Sequence, residues 1–245
     1  MPSDFIAGPA PAPAATAADI VCLIAGLIDE SGSMTDVRDD TIGGYNTFVE
    51  TIQKEQAGRK AFVSTFLFDH SHGNPILRTI QDGGDLAGAV KLTRDNYAPR
   101  GSTPLYDAIG QAVTKTRDTA AKSGANKVTF LILTDGHENS SHEFTHAKVK
   151  ALIDQCSADG WQVIFLGADL TDAHGIGVGY GTSSANAMSF DKSNTKATFS
   201  ATVSASAAYR SGANASADLQ MSDDVKARLA AKAKPVKPKS PTSAA

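Results

Sequence analysis

The chain has 245 residues, 41% of them hydrophobic, enough for one domain of about 190 residues to bury a core without staples. Its net charge of −3, with acids and bases interspersed, argues against nucleic-acid or anionic-membrane partners, and no apolar run approaches the ~18 residues of a membrane span. Cys22 and Cys156 both fall in apolar segments and read as buried free thiols, so a reducing, cytoplasmic setting is expected.

Residues 1–19 alternate Pro and Ala, without the basic leader or continuous apolar stretch of a secretory signal, and read as a flexible extended arm. Ile20–Ile28 is an apolar strand running directly into Asp29-x-Ser31-x-Ser33. Ile42, Tyr45, Val49 and Ile52 recur at helical spacing. Ala61–Phe68 is a second apolar strand, and Pro75–Ile80 after it fits an antiparallel edge strand, where proline is tolerated.

Arg100-Gly101-Ser102-Thr103-Pro104 then precedes a helical stripe of Leu105, Ala108, Ile109, Ala112 and Val113. Val128–Leu133 is a third strand, ending on Asp135-Gly136. Ser140-x-x-Glu143 has the form of a capping box opening a helix with Val149, Leu152, Ile153 and Cys156 inward. Val163–Gly167 is a fourth strand. A last helix is expected over Ser193–Tyr209, from Phe199, Val203 and Ala207, with Gly212 as its cap. Residues 212–245 are expected to form a C-terminal extension with a flexible basic tail, leaving 20–211 as the domain.

Strands apolar throughout and alternating with helices predict a doubly wound α/β fold, with a mostly parallel sheet, one antiparallel edge strand and helices on both faces. Ligands of such sheets bind beyond the carboxyl ends of the strands, where Asp29 and Asp135 both lie. Carboxylates and hydroxyls together are hard oxygen donors, suited to Mg²⁺, Mn²⁺ or Ca²⁺ rather than zinc or copper.

Asp-x-Ser-x-Ser after one strand, Gly-x-Thr-Pro before a helix and Thr-Asp-Gly after another strand occur in that order. Together they resemble the metal-ion-dependent adhesion site (MIDAS) of the von Willebrand factor A domain. Asp40–Asn46, Thr134–Ser140 and Trp161–Ala168 are similar to stand-alone bacterial or phage members, so the resemblance spans about residues 20–211. It implies that Ser31 and Ser33 bind Mg²⁺ (Mn²⁺ or Ca²⁺ as alternatives) through their hydroxyls. It also implies that Thr103 does so directly or through water, and that Asp29 and Asp135 often act through bound water. Neutral hydroxyls under-neutralise the cation, leaving it affinity for an Asp or Glu presented by a protein partner.

Asp107 is a candidate either for bonding beside the ion or for a first-turn helix acid. His70, His72, Arg100, His137, Glu138 and Asn139 are rim candidates, Glu138 and Asn139 foremost, as second shell or ligand rim, because they follow Asp135-Gly136 directly. Two enzymatic alternatives compete. His142-Glu143-x-x-His146 has the form of a zinc-peptidase helix, with a third ligand to come from Asp169, Asp172 or His174. Strand-end acids also serve phosphoryl transfer, but the second residue after Asp29 is Ser31 rather than an acid, and no P-loop occurs. A binding module rather than an enzyme is therefore expected, with a structural or assembly role in a larger particle such as a phage virion as the alternative.

Overall fold

A computed structural model describes residues 20–71, 75–170, 172–213 and 216–231. The N-terminal arm, His72 and the tail from residue 232 lie outside the described residues. The strands are β1 (Cys22–Asp29), β2 (Ala61–Phe68), β3 (Leu77–Asp85), β4 (Lys127–Thr134), β5 (Gln162–Ala168) and β6 (Ala187–Phe190). They form one sheet in the order β3-β2-β1-β4-β5-β6, parallel except for β3 on β2. The helices are α1 (Arg38–Glu55), α2 (Leu105–Ser123), α3 (His146–Ala158), α4 (Ala173–Gly179), α5 (Thr195–Arg210) and α6 (Asp223–Ala230). This is the expected α/β sandwich.

Strand periodicity divides β1 between two cores. Ile24 and Ile28 join Tyr45 and Phe48 of α1 and Phe199 and Val203 of α5, while Leu23, Ala25 and Leu27 join the apolar stripes of α2 and α3. Phe199 meets the rings of Tyr45 and Phe48 edge-on at 6.2 and 5.8 Å. Arg210, fully buried, pairs with Glu55 at 2.5 Å and ties the end of α5 to that of α1. Cys22 and Cys156 are both buried and unbridged, and burial raises both thiols above their ordinary pKa.

Three differences from the sequence reading have physical causes. β3 continues past Ile80 to Asp85, because the polar Gln81-Asp82-Gly83-Gly84 run is a bulged strand rather than a turn. Asp82 holds it there by accepting the hydroxyls of Ser64 (2.9 Å) and Thr119 (2.7 Å). Second, α3 starts at His146 and not near Ser140. Thr145 caps it, and Asp107, in the first turn of α2, claims the backbone upstream by accepting the N–H groups of His142, Glu143 and Phe144 at 2.7–2.9 Å. Third, the extension beyond residue 212 contains a docked helix. Leu219 and Leu229 are buried, and Ser222 caps α6.

Candidate metal centre

The strand order reverses between β1 and β4, and the chain leaves both at their carboxyl ends side by side. Asp29 closes β1 and is fully buried. One of its oxygens accepts the Ser31 N–H at 2.7 Å, curling the turn, and the other accepts the Thr134 hydroxyl at 2.6 Å. Burial, with a smaller contribution from the nearby charge of Asp135, pushes the Asp29 carboxyl from its ordinary 3.8 up to about 7 despite those bonds.

Ser31 and Ser33 hydroxyls lie 3.2 Å apart, and that of Ser33 donates to Asp135 Oδ1 at 2.5 Å. Gly32 N–H donates to Gly101 O at 3.2 Å, bringing the loop that carries Thr103 against the serine turn. Gly101 has a left-handed φ of 70°, and an added Cβ would collide with the His70 backbone, so glycine is required there. Gly136 is equally constrained, because a Cβ would stand 2.9 Å from the Thr103 hydroxyl oxygen. Thr103 itself is buried, its N–H donating to Asn139 Oδ1 at 2.9 Å and its carbonyl accepting Asn139 N–H at 3.2 Å. The five side chains, from three loops, thus share one neighbourhood.

The shell behind them is built from residues that sequence reasoning passed over. Tyr97 donates to the Asp29 carbonyl at 2.8 Å. Glu30, buried, accepts Arg78 at 2.7 and 2.8 Å and the Ala98 N–H at 2.6 Å, locking the loop before Arg100. Lys192, just past β6, places its ammonium 2.7 Å from Asp135 Oδ2. That contact is an ion pair without hydrogen-bond alignment, and Oδ2 stays a buried acceptor with no hydrogen-bond donor. The only sequence signal for Lys192 was its place after a four-residue strand, too short to stand out.

The donor set fits a hard divalent cation. No group of three or more His, Cys, Asp or Glu among the described residues is arranged for a metal, so a cation here would be held by hydroxyls and the two acids. The carboxylates of Asp29 and Asp135 are both buried, and a divalent ion or its water would offset their charge there.

Glu138, Asn139 and Asp107 support the loops behind the site. Glu138 is spent internally, accepting Tyr106 N–H at 2.8 Å and the N–H groups of Ser140 and Ser141 at 2.8 and 2.7 Å. Asn139 positions Thr103, and Asp107 is a first-turn acid of α2 that anchors the loop to α3. Arg100 leans on the buried Asp69 at 3.2 Å, beside an edge-on pair of His70 and His142 rings 6.2 Å apart. His137 is exposed.

His142-Glu143-x-x-His146 does not lie on one helix. His142 packs on His70, whereas His146 packs on Tyr106 and Tyr180. Of the suggested third ligands, Asp169 accepts Lys192 N–H, Asp172 caps α4 and His174 bonds Ser184.

The fold, a mostly parallel sheet with one antiparallel edge, is similar to that of von Willebrand factor A-type domains among solved structures. No family model matches the sequence, and no curated protein matches it. Among solved structures, the von Willebrand factor domain of the type V pilus tip protein Mfa5 from Porphyromonas gingivalis is 13% identical, with TM-score 0.58 over 76% of this chain and 94% of its own. The pilus adhesin SpaC from Lactobacillus rhamnosus GG is 16% identical, with TM-score 0.60 over 76% of this chain. Proximal thread matrix protein 1 from the mussel byssus, solved with a zinc-occupied MIDAS motif, is 14% identical, with TM-score 0.54 over 74% of this chain. The match spans 47% of the mussel protein and 30% of SpaC.

Proposed function

We propose that the chain is a cation-dependent protein-interaction module. Ser31, Ser33 and Thr103 hold Mg²⁺ through their hydroxyls, and Asp29 and Asp135 act on it through water. A carboxylate from a partner's Asp or Glu completes the cation's shell, drawn by the charge that neutral hydroxyls leave uncompensated. The observation that carries this reading is the gathering of Ser31, Ser33, Thr103 and the buried carboxylates of Asp29 and Asp135 at the sheet's switch point. The pilus and byssus neighbours, one with a metal in its MIDAS motif, are in keeping with it.

Calorimetric titration with MgCl₂ and MnCl₂ tests it. Wild type takes up one ion, and Asp29→Ala and Asp135→Ala take up none; unchanged uptake in either variant removes the basis of the reading. A pull-down from the native host, with Mg²⁺ and with EDTA, separates it from a purely structural assembly role. Partners retained in EDTA would favour assembly.

A further inference from the structure

We infer that Lys192 is a tethered competitor for the metal site, and that a divalent cation binds by displacing its ammonium from Asp135. This rests on the cation reading above. Asp29 and Asp135 are two buried acids in electrostatic contact, and the ammonium 2.7 Å from Asp135 Oδ2 is their cationic neighbour. An ion seated among Ser31, Ser33 and Thr103 would stand a few ångströms from that ammonium. The two positive charges would compete for one carboxylate and repel each other, so they cannot share Asp135 at full strength.

The placement is constructed. Lys192 N–H donates to Asp169 Oδ1 at 2.9 Å, and its carbonyl accepts the Thr195 hydroxyl at 2.7 Å, so the backbone is pinned on both sides. Asp169 adopts a left-handed φ of 54° at the end of β5, the one described non-glycine residue with positive φ, and in that conformation its carboxylate bonds the lysine's backbone. The side chain keeps 24% exposure, which gives the ammonium a route to water without any change in the sheet. Its ion pair with Oδ2 is the contact that a ligand bond from a cation or its water would replace. Lys192 therefore neutralises the metal-free site and raises the cation concentration needed to fill it. Once displaced, it stands at the rim as a positive charge facing an acidic partner.

The test titrates the full chain with MnCl₂ and MgCl₂ as wild type, Lys192→Met and Lys192→Arg, alongside thermal melts in EDTA and in saturating Mg²⁺. Lys192→Met should bind either ion at least about tenfold more tightly than wild type, and Lys192→Arg should stay near wild type. In EDTA Lys192→Met should melt below wild type, with the gap closing in Mg²⁺; a merely structural lysine would lower both melts equally. If Lys192→Met does not fold without metal, Lys192→Gln carries the same comparison. Equal or weaker binding by the neutral variants, with Asp135→Ala still abolishing uptake, overturns the role of Lys192 and leaves the cation reading standing. No uptake by wild type or neutral variants ends both.

Discussion

Burying Asp29 ionised costs more than its two hydrogen bonds return, which is why its carboxyl is held near 7 rather than 3.8. At pH 8, above that value, the folded metal-free protein carries the whole penalty. Asp29→Asn removes the charge and keeps the shape. Thr134 can turn its hydroxyl to accept the new amide N–H and donate to Gly136 O, already 3.2 Å away. In EDTA at pH 8 the variant should gain on the order of 1–2 kcal/mol in urea unfolding, and Mg²⁺ should no longer stabilise it. A variant less stable than wild type in EDTA would mean that the bonds from Ser31 and Thr134 outweigh the burial cost. The five oxygen-bearing residues were legible in sequence because each stands in a short motif at a strand end or helix start. Lys192 and Tyr97 were not, since each reaches the site through a long-range contact that no local pattern records, and the role of Glu30, inside the motif, rests on distant Arg78. For Glu138 and Asn139 the sequence left open a place behind the site or on its rim. Adjacency to Asp135 suggested the rim, but unsatisfied backbone N–H groups nearby took both side chains first.

At the scale of elements, α1 lies so close to the sheet that glycines are obligatory at the contact. A Cβ on Gly26 in β1 would stand 2.8 Å from the Tyr45 ring and hydroxyl, and that hydroxyl shares a hydrogen bond of 2.8 Å with Thr65 in β2. Gly26→Ala should therefore cost about 1–3 kcal/mol by overpacking. Gly58, beyond α1, has open space around it, so Gly58→Ala tests only its φ of 78° and should cost about 1–2 kcal/mol. Urea melts of both variants measure the two costs, and a Gly26→Ala variant as stable as wild type would refute the packing argument. The same view explains which elements the sequence revealed. β1, β2, β4 and β5 are apolar runs covered on both faces, and continuous apolarity over a strand's length identifies them. α4 escaped notice because Gly175, Gly177 and Gly179 read as loop. Gly177 is required there, since a Cβ would press on Ala187 and Phe165. The H-E-x-x-H pattern failed as a helix because Asp107, outside the segment, diverts three of its backbone N–H groups.

On the scale of the whole molecule, α6 reaches the turn that carries Lys192. Asp191 N–H donates to Leu229 O at 2.9 Å, and the Asn194 amide donates to the carbonyls of Leu229 (2.8 Å) and Ala231 (2.7 Å). These bonds hold the segment on either side of the lysine, while the Leu229 side chain anchors α6 in the core shared by α1 and α5. Leu229→Ala should remove about 2–3 kcal/mol of stability and loosen the α6 clamp without touching any oxygen of the cation site. If the clamp aims the ammonium at Asp135, the same substitution should tighten Mn²⁺ binding, by less than Lys192→Met does, because Asp169 and Thr195 still hold the lysine's backbone. Combining Leu229→Ala with Lys192→Met should then give no further tightening, since the competitor is already gone. Mn²⁺ titration of the two single variants and the double variant decides the matter. Unaltered affinity in Leu229→Ala, despite the stability loss, would show that α6 supports the fold and leaves the site untouched.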